Sequence, residues 1–295
     1  MYPAPASQET HGATEEFIGK WIQYNQNRER IILATKLTGP SPRFGYISED
    51  LTFGRNRMIS ALEGSLKRLN TSYIDLYQIH WPERKTNTFG QLGFKNDPDC
   101  HWEDNIEDVV STLNDFVKQG KIRYWGISNE TPWGLMRYLH ESRSIGSSPL
   151  FSIQNPYNLL NRSFEVGLSE MIIRENIGML AYSPLAFGLL TGKYHEYLAT
   201  PLSRLNLFPQ MARYSSELAH TISARYIDLA EKFNLNLTSL ALSFVVNQSF
   251  VSSAIAGVTD AFQLRELISS VQWTFPAEWQ ADIDAIHAQC PNPCP

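Results

Sequence analysis

Cysteine is scarce in this chain: three among 295 residues, Cys100, Cys290 and Cys294. A small odd count without a secretory leader does not read as a disulfide framework, and reduced thiols in a cytoplasm are the expectation. Cys290 and Cys294 lie in a proline-rich tail where a zinc site would need further ligands, so no metal is expected. A basic excess is missing as well. There are 25 Lys+Arg against 30 Asp+Glu, a formal charge of −5. A nucleic-acid groove needs a basic face, so no nucleic-acid partner is expected. No apolar run approaches the roughly 18 residues of a membrane span, and no membrane association is expected. Residues 1–19 hold neither the basic nor the apolar part of a leader. Also absent is G-x-G-x-x-G after the first strand, the mark of an open dinucleotide-binding sheet. What is present, 43% hydrophobic and 19% charged residues, fits a folded globular chain. With no linker, low-complexity tract or internal repeat, residues 1–295 read as a single domain.

The chain alternates short β-branched apolar runs with longer stretches of helical period. Strands are predicted at 30–36, 73–80, 122–128, 151–154, 177–183 and 253–257. Met58, Ile59, Leu62, Leu66 and Leu69 recur at three- and four-residue steps and make one apolar helix face. Ile106, Val109, Val110, Leu113, Phe116 and Val117 repeat the pattern, with Gly120 as the stop. Thr131-Pro132 is an N-cap followed by proline at the first helical position. Further helices are predicted at 219–233, 239–246 and 277–288. Such alternation implies an α/β fold with a parallel sheet. With the glycine fingerprint missing, a (β/α)8 TIM barrel is favoured over an open sheet.

The strand ends carry the functional signal. The run 30–36 ends in Lys36 and the run 73–80 in His80. The next three end in Ser128-Asn129, Gln154-Asn155 and Tyr182-Ser183. A barrel collects its chemistry at these positions. Each residue has an ordinary alternative: Lys36 reaching to water, His80 as a satisfied structural histidine. In series they outline a cleft with a proton donor, a carbonyl-orienting group and amides for a planar cofactor head. Asp75, alternating with Leu76, is expected to face a helix or the barrel bottom. Two long inserts leave the same rim. Residues 82–105 carry Phe89, Phe94 and Trp102, suited to a pocket wall. Residues 185–213 carry Lys193, Arg204 and Arg213, suited to an anion.

The stretches Ala34-Thr35-Lys36, Ser65 to Leu69, Tyr73 to Pro82, Gly120 to Asn129, Gln154 to Asn158, Tyr182 to Leu185 and Gly188 to Tyr194 resemble the aldo-keto reductase family, and within it the bacterial Tas-like branch. The resemblance runs from about residue 1 to about residue 286. It implies a (β/α)8 barrel that binds NADP(H) without a Rossmann fold and reduces an aldehyde or ketone. The family's catalytic set is Asp, Tyr, Lys and His. Its lysine falls on Lys36, its histidine on His80 and its tyrosine on Tyr2. The resemblance makes Tyr2 the proton donor, with Lys36 lowering its pKa and His80 orienting the carbonyl. Ser128, Asn129 and Gln154 are implied to hold the nicotinamide carboxamide and Tyr182 to stack on the ring, with Ser183 beside it. Leu185, Gly188 and Leu190 resemble the loop over the pyrophosphate, with Lys193 and Arg204 as its basic candidates. Gly257, Thr259, Gln263 and Glu266 resemble the adenosine-phosphate segment. Many family members have Arg where Gln263 stands, and most have Asn where Leu267 stands. A preference for NADP over NAD therefore rests on Lys193, Arg204 and Arg265.

The family pattern places two strands, one helix and the catalytic Asp before the tyrosine, and this sequence starts at that tyrosine. About six of the eight barrel strands are expected, the fold lacking its first ones. Either a longer reading frame or a truncated gene accounts for that start. The competing reading is a catalytically impaired remnant or a nucleotide-sensing binding protein. The carbonyl substrate and the oligomeric state stay open.

Overall fold

Parallel strands alternate with helices throughout the computed structural model, which describes residues 3, 6–195, 198–208, 212–271 and 275–295. The chain divides into two units: Met1–Thr86 with Lys95–Ile153, and Asn87–Phe94 with Gln154–Pro295. The dividing point falls inside a strand, Ser152–Pro156. No helix among the described residues is long and apolar enough to cross a membrane.

In the first unit, α1 (Ala13–Asn25), β1 (Ala34–Leu37), α2 (Arg55–Leu69), β2 (Ile74–Ile79), α3 (Ile106–Lys118), β3 (Ile122–Ser128) and α4 (Pro132–Ser144) follow in order. The strands pair β1-β2-β3, both pairs parallel. All six residues of β2 are buried, as expected for a parallel strand covered on both faces. Helix α2 buries Met58, Leu62, Leu66 and Leu69, the face read from the sequence. Met58 and Leu62 have no exposed surface, so Leu62→Ala would cost about 2–5 kcal/mol. Helix α3 ends as expected at Gly120, where Lys121 N–H bonds Phe116 C=O and Gly120 N–H bonds Val117 C=O. Thr131 Oγ1 accepts the Gly134 N–H at 3.3 Å and opens α4.

Two departures occur here. Residues 28–30, the last of them predicted to open the first strand, form a 3-10 turn, and β1 starts only at Ala34. The cause is tertiary. Arg28 bonds Ile31 C=O, Tyr73 C=O and Asp75, and Asp75 Oδ2 also takes the Leu33 N–H. Helix α1 was not expected; it buries only Gly19 and Ile22, while Phe17, Trp21 and Tyr24 stay exposed.

In the second unit, the rest of β4 (Ser152–Pro156) precedes α5 (Leu168–Glu175), β5 (Gly178–Tyr182), α6 (Arg204–Leu207), α7 (Glu217–Lys232), α8 (Leu237–Val246), β6 (Val251–Ile255), α9 (Ala261–Ser270) and α10 (Ala277–Gln289). Strand β6 pairs parallel to β5 and lies two residues earlier than expected, with a register irregularity at Met179/Leu180. Asn234 adopts φ 56° between α7 and α8, and Asn236 caps α8 by accepting the Ser239 N–H at 2.7 Å. The aromatic core stacks Tyr157 on Phe244 at 5.6 Å and sets Phe250 edge-on to Tyr157 at 5.2 Å. The buried Arg162 is matched by Glu165 at 2.8 Å and Asp284 at 2.6 Å.

Candidate functional site

Side-chain alternation decides which strand residues share a face. Lys36 is in register with Gln78, and Gln78 with Gly126. Residues in register on parallel strands point the same way, and so do residues two apart. Lys36, His80 and Ser128 therefore stand on one face at adjacent strand ends. Thr35 and Tyr77 share the opposite face, where Thr35 Oγ1 donates to Glu15 of α1 at 2.6 Å. The ladder continues past β2, since His80 N–H bonds Leu37 C=O at 3.0 Å. Asn129, at φ 54°, turns its amide back across the strand ends. Its Nδ2 donates to His80 C=O at 2.9 Å and to Ser128 Oγ at 3.2 Å. Glycine is required at 126 because a Cβ there would lie 2.6 Å from Ser152 Oγ.

The electrostatics of this face are unbalanced. Lys36 is half-buried, and no carboxylate pairs with it among the described residues. Burial lowers its pKa. The His80 imidazole is held well below its ordinary value, first by burial and then by the Lys36 charge. The ring therefore stays neutral near pH 7 and presents one N–H and one lone pair. Asp75 sits on the helix-facing side, as expected. Its buried carboxylate takes Arg28 at 2.7 Å, Arg123 at 2.7 Å and the Leu33 N–H at 2.9 Å. Burial opposes its ionisation, and the Leu33 N–H with the two guanidinia prevails, so its pKa is lowered.

The second unit holds the other candidates. Gln154 is a buried residue of β4, and Tyr182 ends β5. Ser183 follows at φ 55°, and its carbonyl accepts from Asn158 Nδ2 at 2.9 Å. A 3-10 segment, Ala186–Thr191, comes next. Leu185 C=O takes the N–H groups of Gly188 at 2.7 Å and Leu190 at 3.3 Å, which fold the loop on itself. Gly188, at φ 93°, meets the Lys193 ammonium, which would lie 3.2 Å from a Cβ placed there. Burial lowers the Lys193 pKa. The Arg204 guanidinium covers the Phe187 ring at 4.2 Å, and its buried Nε has no hydrogen-bond acceptor among the described residues. After β6, Gly257 and Thr259 are exposed. Gln263 Oε1 accepts the Thr259 N–H at 3.1 Å, and Asp260 caps α9 by accepting the Gln263 N–H at 2.8 Å. Glu266 lies one turn further along α9, its carbonyl taking the Ser270 hydroxyl.

Tyr2 lies outside the described residues. Lys36, His80, Ser128 and Asn129 are brought together in the first unit. In the second, Tyr182, Ser183, Leu185, Gly188, Leu190, Lys193 and Arg204 belong to β5 and the segment after it. Sequence reasoning missed Asn158 and Tyr214, which support Ser183. Asn158 stood within a recognised motif, but nothing local in the sequence marked Tyr214. No three His, Cys, Asp or Glu side chains among the described residues cluster as metal ligands.

The comparisons with known proteins agree on one family. The model of the aldo/keto reductase family matches residues 2–288. The chain is 42% identical over 301 residues to "Protein tas" of Escherichia coli (strain K12), covering 100% of this chain and 85% of that protein. It is 39% identical over 252 residues to "Aldo-keto reductase" of Babesia bovis, covering 81% of this chain and 88% of that one. It is 30% identical over 280 residues to "Aldo-keto reductase YhdN" of Bacillus subtilis (strain 168), covering 93% and 76%. The six strands described here, parallel and alternating with helices, fit an incomplete (β/α)8 barrel. By the family match across nearly its whole length and by these relatives, the chain belongs to the aldo/keto reductase family of oxidoreductases.

Proposed function

We propose that this chain is an NADPH-dependent reductase converting an aldehyde or ketone to an alcohol, working in the cytoplasm as one oxidoreductase domain over residues 1–295. The observation that carries the reading is the set of adjacent strand ends where Lys36, with no carboxylate partner among the described residues, stands on one face with a neutral His80 and Ser128. A structural lysine at a strand end would reach water or pair; this one is desolvated beside an imidazole.

The residues present fit the cofactor on two counts. The buried Arg204 Nε without an acceptor and the desolvated Lys193 ammonium suit phosphate oxygens. In the first unit the Ser128 hydroxyl and the Asn129 amide suit a carboxamide; in the second the Gln154 amide is a further candidate for such a group and the Tyr182 ring suits a nicotinamide face. When bound, the cofactor supplies a hydride to the carbonyl carbon. Everything else falls to the protein. Tyr2 is the proton donor to the developing alkoxide. A phenol titrates near 10, too high for easy transfer at neutrality, and an ammonium beside it favours the phenolate. Lys36 is that ammonium. His80, neutral, donates an N–H to the carbonyl oxygen and fixes its direction. Gly257, Thr259, Gln263 and Glu266 are assigned to the adenosine end. The neutral Gln263 leaves the preference for NADP to Lys193, Arg204 and Arg265.

The test is quenching of tryptophan fluorescence by NADPH, with NADH as control, followed by NADPH consumption with a panel of aldehydes and ketones. NADPH binding tighter than NADH binding, with turnover of a carbonyl, supports the reading. Absence of NADPH binding overturns it. Binding without turnover of any carbonyl replaces it with a nucleotide-binding role.

A further inference from the structure

Resting on that reading, we propose that Tyr194 is a positioning residue: its hydroxyl accepts the Leu205 N–H and so fixes the turn that presents Arg204 to phosphate oxygens. The opening of α6 needs such a partner. A helix start leaves its first N–H groups without acceptors, and the residue before the first turn ordinarily supplies one from its side chain. Here that residue is Ser203, and its side chain makes no cap. Its hydroxyl is turned back to accept the Thr200 N–H at 2.9 Å. The Leu205 N–H is met instead by Tyr194 Oη at 2.9 Å, from 11 positions earlier in the chain. Leu205 is buried, where an unmet N–H is costly.

Tyr194 is itself held through its neighbours. The Lys193 ammonium lies 5.3 Å from its ring centre, and a Cβ placed on Gly188 would come 3.7 Å from its ring edge. On its other side, the His195 N–H bonds Gly192 C=O at 2.8 Å, and His195 Nε2 stands 2.6 Å from Ser223 Oγ of α7. Ser223 is fully buried, and its hydroxyl donates to His220 C=O at 3.0 Å. Its one proton is committed there, so His195 Nε2 carries the proton of the bond they share. The segment 193–195 is thus anchored to α7, and Tyr194 passes that anchorage to α6. Arg204 is then held at both ends. Its backbone is pinned beside the Leu205 N–H, and its guanidinium covers Phe187 at 4.2 Å. Its buried Nε meets no acceptor among the described residues. An arginine held in this way loses little rotamer freedom when an anion arrives. The Leu205 N–H is taken by the protein; what is offered to a ligand is the Arg204 guanidinium.

The full chain is titrated with NADPH as wild type, Tyr194→Phe, Arg204→Gln and the double variant, with thermal melts as the fold check. Tyr194→Phe keeps the ring and its Lys193 contact and removes only the acceptor. The expected result is NADPH binding weakened about three- to tenfold in Tyr194→Phe, the range for one lost hydrogen bond. In the Arg204→Gln background the same change should matter less than about twofold, because nothing is left for Tyr194 to position. Wild-type affinity in Tyr194→Phe, with or without a lower melting temperature, would overturn the proposal. Losses that multiply in the double variant would overturn it too, since Tyr194 would then act independently of Arg204. Wild type that fails to bind NADPH would remove the functional reading and the proposal with it, a result distinct from the other two because in those wild type binds.

Discussion

The two ends of the first unit's strands treat buried charge in opposite ways. Toward their starts, Asp75 is enclosed by Arg28, Arg123 and a backbone N–H. At their ends, Lys36 is desolvated without a carboxylate partner among the described residues, and its charge helps keep His80 neutral. The second unit repeats the contrast within itself. Arg162 is matched by Glu165 and Asp284, whereas Arg204 has a buried nitrogen with no acceptor among the described residues. Matched charge holds a fold together with little left to offer a ligand. Unmatched charge is costly to keep and marks where an external partner completes the electrostatics. The comparison separates residues that stabilise from residues that act, and it can be tested from both sides.

The largest effect is expected at the matched end. Asp75→Asn leaves Arg28 and Arg123 without their carboxylate. Breaking such a buried network costs about 3–5 kcal/mol, with the half-exposed Arg123 contributing the lesser share. Urea denaturation should show this as a lower midpoint, while cofactor affinity of the folded fraction stays unchanged. A change in affinity as large as the change in stability would break the comparison. Arg204→Gln should do the reverse. NADPH affinity should fall about 10- to 100-fold with stability held within about 1 kcal/mol, read by titration alongside a melt.

The pH response sharpens the contrast further. The folded chain keeps His80 neutral, but the unfolded chain takes up a proton as pH drops through about 6.5. The His80 contribution is therefore complete above that pH and lost as pH falls, at up to about 1.4 kcal/mol per pH unit. In His80→Gln the melting temperature should decline less steeply below pH 6.5 than in wild type. Identical profiles would mean that His80 titrates normally in the folded chain. The smallest effect is expected at Thr131, which caps α4 and accepts from Arg84 but carries no charge. Thr131→Ala should cost about 1 kcal/mol in denaturation and leave NADPH binding untouched.

Local sequence signals recovered the elements whose boundaries are set locally. β3 lies at Ile122–Ser128 as read, bounded by Gly120 and by Asn129 at φ 54°. α4 opens at its Thr131 cap. β1 was read too early because Arg28 is drawn into a turn by Tyr73 and Asp75, 45 and 47 residues away. α1 escaped because its large apolar side chains, Phe17, Trp21 and Tyr24, are exposed and trace no buried stripe. The strand-end residues were legible because a barrel strand announces its own end. The Asn158–Tyr214 contact was not, since it joins side chains 56 positions apart.

The central claim is that Arg204, whose buried Nε meets no acceptor among the described residues, is kept for a phosphate-bearing cofactor. Calorimetric titration of NADPH into wild type and Arg204→Gln, each at low and high salt, tests it most directly. The account expects wild-type binding that weakens with salt, and a variant at least tenfold weaker with a shallower salt dependence. Equal affinity and equal salt dependence in the two proteins would contradict it.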